Sequence, residues 1–229
     1  MVALDGGHSP ILHRELPAEG QACKAGPFPG PGHFSGYHMI LLRHGQSEFN
    51  VVYNATRVDP GIPDPRLTEE GRRQALTAAA ALASHPLERL LASPYTRALE
   101  TAEIIAGKLG LAIEVEPLVR EHCLFHCDIG SPRSALAQRW PALDFAHLEE
   151  RWWPDLDETE ILLSARAEAF RHRMAAKPDW ERTAIVSHWG FIRALTGLRV
   201  PNGHLLRFDP HSRVARDLMA SDLAPPEGT

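Results

Sequence analysis

The chain predicts a three-layer α/β/α sandwich built on a mostly parallel central sheet. Three observations carry that expectation. Short apolar runs at Met39 to Leu42, Leu87 to Ala92 and Thr183 to Val186 read as strands buried on both faces, because they are too short for helices and show no apolar–polar alternation. Periodic helical stretches lie between them, as α/β folds require. The length of 229 residues, with 44% hydrophobic and 23% charged content, suits one sizeable water-facing domain.

Composition excludes several classes. A net charge of −5, with no basic block and no interleaved aromatic and basic residues, argues against nucleic acid as a partner. No apolar run reaches the length of a membrane span. Three cysteines do not make a disulfide framework, so a reducing, cytoplasmic setting is expected. Residues 1–37 are rich in Gly and Pro, lack periodicity and lack a secretory signal pattern; they read as a flexible leader, with Met39 as an alternative start. The folded domain is expected over 38–220 and a frayed tail over 221–229.

In order, the first strand, Met39 to Leu42, ends at Arg43-His44-Gly45, and Ser47 caps a helix through Phe49 and Asn50. Ligands of open α/β sheets bind beyond the carboxyl ends of strands, which puts Arg43 and His44 where chemistry is expected. The loop 58–65 is set by its prolines and glycine. Thr68 then caps an Ala-rich helix with acids in its first turn, running to about Ser84. The strand Leu87 to Ala92 leads to a helix with Pro94 in its first turn, stopped by Gly110, and Ile113 to Val115 makes a short strand.

Past Glu121 comes His122-Cys123-Leu124-Phe125-His126-Cys127, whose four-residue spacing also allows a zinc site. No second ligand pair at finger spacing follows, so the metal reading is not adopted and no metal or cofactor is expected. Residues 122–158 are read as a cap over the site. Within it the tryptophans serve packing, and the acidic run Asp155-Leu156-Asp157-Glu158 is a solvated face. A helix from Thr159 to about Ala176, a central strand ending at Ser187-His188-Trp189-Gly190, a helix from Phe191 and a last strand, Leu205 to Phe208, complete the chain.

The strings Arg43-His44-Gly45, Asp64-x-x-Leu67-Thr68-x-x-Gly71-x-x-Gln74-Ala75, Ser93-Pro94-x-x-Arg97-Ala98-x-x-Thr101-Ala102 and Ser187-His188-x-Gly190-Phe191-Ile192-Arg193 occur in that order. Together they resemble the histidine phosphatase superfamily, of phosphoglycerate-mutase-like fold, over about residues 38–215. The resemblance implies a phosphatase of small phosphomonoesters acting through a phosphohistidine on His44. It implies His188 as a transition-state donor and Glu121 as general acid and base. Arg43, Arg97 and Asn50 would bind phosphate, needing no cofactor. Cys123, His126, Arg133 and Trp189 are expected to line the substrate cap, with Arg133 and Arg139 offering charge to an anionic substrate. Trp189 stands where the family commonly has glycine. The residues after Glu121 depart from the family's mutase pattern, which favours a phosphatase over a mutase; a non-catalytic binder of a phosphorylated ligand is the rival of another class. A homo-oligomer is compatible with the sequence.

Overall fold

The computed structural model describes residues 38–218. The leader over 1–37 and the tail over 221–229 therefore lie outside the described residues. Six strands form one sheet: β1 (Met39–Arg43), β2 (Arg89–Ala92), β3 (Ile113–Val115), β4 (Thr183–Ser187), β5 (Leu205–Phe208) and β6 (Ala215–Asp217), in the order β3-β2-β4-β1-β5-β6. β1 to β4 pair in parallel, while β5 and β6 run antiparallel on one side, so the sheet is mixed. The sequence reading placed every strand but β6, a three-residue edge strand too short to show a pattern.

Strand side chains alternate between two cores, as the period of two demands. Ile40, Leu42, Leu90, Ala92, Ala184 and Val186 face one layer of helices. Met39, Leu41, Leu91, Ile185, Leu206 and Phe208 face the other. The first layer contains α2 (Glu69–Leu82) and α3 (Thr96–Leu109), whose alanines let them pack closely against the sheet. The second contains α5 (Glu160–Ala175) and α6 (Trp189–Thr196), through Leu163, Phe170, Phe191 and Ile192. Each fully buried Leu, Ile or Phe contributes about 1.5–3 kcal/mol of transfer free energy. Three layers follow.

Two local expectations change. α3 begins at Thr96 with Tyr95 as N-cap, so Pro94 precedes the helix rather than occupying its first turn. Tyr95 supplies no side-chain cap; Asp64, from the loop before α2, accepts from the Thr96 amide at 2.8 Å and the Thr96 hydroxyl at 2.7 Å instead. A helix α4 (Arg133–Arg139), with α1 (Glu48–Thr56) the remaining α-helix, lies inside the stretch read as a cap. Its Leu136, together with Trp140, Phe145 and Leu148, belongs to the first core. That part of 122–158 adds its apolar side chains to the core that α2 and α3 share with the sheet.

Candidate active site

β1, β2 and β4 are parallel neighbours in register, with Arg43 opposite Ser187 and Ala92 opposite Val186. Their carboxyl ends therefore open side by side and deliver His44, Ser93 and His188 to one place. The His44 amide continues the ladder to Ser187 O at 2.9 Å. The chain then turns through Gly45, where a Cβ would meet Gly71 O at 2.2 Å. Gly71 has the reciprocal problem, its Cβ falling 2.1 Å from Gln46 O. Two backbones pass in contact there, which is why both motifs need glycine.

His44 is 2% exposed, and its Nδ1 lies 2.7 Å from Gly45 O. A carbonyl only accepts, so Nδ1 carries the proton and Nε2 presents the lone pair. Burial first, then the Arg97 and Arg43 cations, hold the His44 imidazole well below its ordinary pKa. His188 stands with its ring centre 5.0 Å from that of His44 and is depressed in the same direction, by burial and then by Arg97. Its Nε2 is 2.8 Å from Ser93 Oγ, and its Nδ1 is buried without a hydrogen-bond partner among the described residues. Arg43 donates Nη1 to Val200 O at 2.8 Å while its Nε is likewise buried without a partner. Burial lowers the Arg43 pKa to about 10, which leaves it charged at neutral pH.

Arg97 is buried, not solvated. It donates to Cys127 O at 2.7 Å and to Asp128 Oδ1 at 3.1 Å, with Tyr95 stacked 4.5 Å from its guanidinium carbon. Burial opposes its charge, but anionic neighbours including Asp128 outweigh that and raise its pKa. Asp128 is itself pushed up to about 6 by burial, against Arg97 and the Leu124 and Phe125 amides it accepts. Asn50 Oδ1 is occupied by the Ser47 amide and hydroxyl and by Asn202 Nδ2, each at 3.0–3.1 Å. Only its Nδ2 is left for a ligand.

Glu121 sits on the loop after β3. Its Oε1 accepts from the His122 amide at 2.8 Å and the Gly190 amide at 2.7 Å, at the first turn of α6. A Cβ on residue 190 would lie 2.5 Å from that oxygen, so Gly190 is the condition for the carboxylate's approach. The Gly190 amide that Glu121 accepts from lies two residues past His188, and Arg43 and Arg97 both feel the Glu121 charge.

The residues expected to line a cap separate. Cys123 is fully buried with its thiol on the Asp128 and Pro154 carbonyls, so it packs inward instead of facing a cleft. His126 pairs with Asp59 at 3.0 Å, and Arg133 with Glu150 at 3.5 Å. Arg139 is bound to Glu100, already the partner of Arg66 and Arg72. Arg139 thus reaches a buried carboxylate, whereas the Arg133–Glu150 pair is exposed on both sides. Trp189 is half-buried between the guanidinium groups of Arg193 and Arg199, at 5.3 and 5.9 Å. Among the described residues no three His, Cys, Asp or Glu side chains gather as a metal would require, and no helix is long and apolar enough to cross a membrane.

The acidic run also departs from expectation. Glu158 is 5% exposed and receives Arg120 at 2.9 Å and Arg166 at 2.8 Å, so it is a buried ion-pair centre and not part of a solvated face. Sequence reasoning missed Arg166, Asp128, Ser93 and Asn202 as members of the site's surroundings. Only Ser93 carried a signal, through its place at the end of β2.

Comparison with known proteins agrees with this geometry. The family model described as histidine phosphatase superfamily (branch 1) matches residues 39–214. A glucosyl-3-phosphoglycerate phosphatase of Mycolicibacterium vanbaalenii is 30% identical over 187 residues, 73% of this chain and 78% of its own. A Schizosaccharomyces pombe protein named as a probable phosphatase is 34% identical over 181 residues, 73% of this chain and 81% of its own. The native structure of a mycobacterial glucosyl-3-phosphoglycerate phosphatase superposes with a TM-score of 0.55 at 24% identity, covering 79% of this chain and 96% of that one. The likeness extends over both core layers and every strand that delivers a site residue, and the chain belongs to the histidine phosphatase superfamily.

Proposed function

We propose that this protein is a phosphatase that hydrolyses a small phosphomonoester through a phosphohistidine on His44. The observation that supports it most is the cup itself. A neutral, tautomer-fixed imidazole lies beside two buried nitrogens, Arg43 Nε and His188 Nδ1, that have no protein partner among the described residues, and Nδ1 is a donor when Nε2 accepts from Ser93 Oγ. Buried polar groups are nearly always paired, so a cup with spare donors beside two guanidinium groups suits a tetrahedral anion.

In this reading His44 Nε2 attacks phosphorus in line, forming a P–N bond as the P–O bond to the leaving group breaks. Arg43, Arg97 and the Asn50 amide hold the phosphoryl oxygens, and His188 Nδ1 donates to an equatorial oxygen while its Nε2 accepts from Ser93. Glu121 Oε1 is committed to two amides, so Oε2 carries the proton given to the departing alkoxide. The same carboxylate then removes a proton from water, which attacks phosphorus, breaks the P–N bond and yields inorganic phosphate. The relatives matched over most of their own length are named phosphatases, while proteins named as probable phosphoglycerate mutases match over shorter stretches, and the departure from the mutase pattern after Glu121 also favours hydrolysis.

The test is phosphate release from a panel of phosphomonoesters, 3-phosphoglycerate and a glucosyl phosphoglycerate among them, by wild type and His44→Ala. Release by wild type and none by the variant is the expected result. Interconversion of phosphoglycerates without release would make the protein a mutase, and neither activity would leave a phosphate-binding protein.

A further inference from the structure

The acid of this site stands on a loop, which the sheet reaches at Val119, whose carbonyl accepts from Ser187 Oγ at 2.7 Å. From 118 to 123 the backbone is fixed chiefly by two side chains of distant origin, Glu158 just before α5 and Arg166 on α5. Arg166 Nη1 donates to Leu118 O at 2.9 Å and to Arg120 O at 2.8 Å, and Nη2 donates to Glu121 O at 3.1 Å. Its Nε and Nη2 also form a fork with the two Glu158 oxygens at 3.0 and 2.8 Å. Glu158 in turn accepts from the Cys123 amide at 3.1 Å and from Arg120 Nη2 at 2.9 Å, and its own carbonyl lies 2.7 Å from His122 Nε2. The pair thus grips the chain on both sides of Glu121 and at Glu121 itself.

Both partners are buried, with Arg166 8% and Glu158 5% exposed. Burial works against the Glu158 carboxylate, but Arg166 and Arg120 overcome it and leave its pKa below the ordinary value. A buried ion pair is a poor source of net stability but a good source of unique geometry. Here the geometry it fixes is the one the acid needs: a backbone held so that the carboxylate reaches the Gly190 amide beside His188.

We infer that Arg166 and Glu158 are positioning residues for the general acid Glu121, setting the protonation of the leaving group and not the binding of phosphate. The inference rests on the phosphatase reading. It separates from a scaffolding role by leaving-group chemistry. An acidic phenol departs without a proton donor, whereas an alkoxide needs one, and kcat/KM reports only steps through leaving-group departure.

The experiment compares kcat/KM for 4-nitrophenyl phosphate and for an alkyl ester, 3-phosphoglycerate or glycerol phosphate, in wild type, Arg166→Lys, Glu158→Gln and Glu121→Gln. Arg166→Lys and Glu158→Gln are expected to lose about 10–100-fold on the alkyl ester, a part of the roughly 100–10,000-fold that general acids supply, and under about threefold on the aryl ester. Glu121→Gln should show the same selectivity, and adding Arg166→Lys to it should cost little more. Equal losses on both esters, or additive losses in the double variant, would overturn the positioning role. Should Arg166→Lys fail to fold by circular dichroism, the near-isosteric Glu158→Gln carries the same comparison. A wild-type chain that cleaves neither ester sinks the phosphatase reading instead, and the positioning role with it.

Discussion

The two halves of the candidate site are built in different ways. The nucleophile's half, with Arg43, His44 and His188, is delivered by two parallel strands, β1 and β4, paired in register up to their carboxyl ends. The acid's half, with Glu121, hangs on a loop and takes its position from Arg166, Glu158 and the Gly190 amide. One half is rigid because the sheet is rigid. The other is only as fixed as a handful of hydrogen bonds, and it is the half that must meet leaving groups of differing size and basicity.

Variants can strain that contrast. His44→Ala, in the sheet-built half, should lower kcat/KM by at least about 10,000-fold on every ester, since removing a covalent nucleophile leaves only the binding contributions. Gly190→Ala should cost about tenfold on alkyl esters and much less on 4-nitrophenyl phosphate, because the new methyl displaces the acid and not the nucleophile. Equal losses on the two esters would mean the halves are not separable.

The acid limb of the pH profile sharpens the contrast further. Burial and two cations depress the His44 pKa, so the imidazole stays neutral, and the limb of kcat/KM should lie below pH ~6.5, the ordinary histidine value. Arg97→Gln removes one of the two cations and should move that limb toward higher pH, read directly by NMR titration of the His44 ring. A limb unmoved by Arg97→Gln would assign the depression to burial and Arg43 alone. The smallest effect belongs to Ser47→Ala. It removes the hydroxyl that caps α1 and should lower unfolding stability by about 1 kcal/mol in denaturant titration while leaving turnover near wild type.

The same contrast explains what the sequence made legible. Arg43, His44, Arg97 and His188 were found because each lies within a few residues of an apolar run, and the strand and the motif name one another. The layers were legible for the same reason, since strand and helix periods are local. The neighbours of the loop were not. Glu158 and Arg166 lie 37 and 45 residues from Glu121, a separation read off the numbering, and nothing local marks a buried acid in Asp155-Leu156-Asp157-Glu158 as different from its solvated neighbours. Cys123 misled in the reverse direction. Its chemistry suggested a cleft, but two backbone carbonyls claimed it in the interior. α4 escaped notice because seven residues give too little periodicity to stand out from the surrounding loop.

The order of the strands has a consequence for how the protein is made. β1, the strand that ends in Arg43 and His44, leaves the ribosome first, yet its partners are residues 184–187 on one side and 205–208 on the other. A nascent chain halted at residue 180 holds the nucleophile, the acid and both phosphate-binding arginines, Arg43 and Arg97, but neither neighbour of the strand that carries the nucleophile. Such non-local pairing is slow to form and leaves an apolar edge open until β4 and β5 have been made. Activity therefore waits on those strands: a fragment lacking β4 and β5 has the nucleophile and the acid in its sequence but neither His188 nor the means of assembling the site.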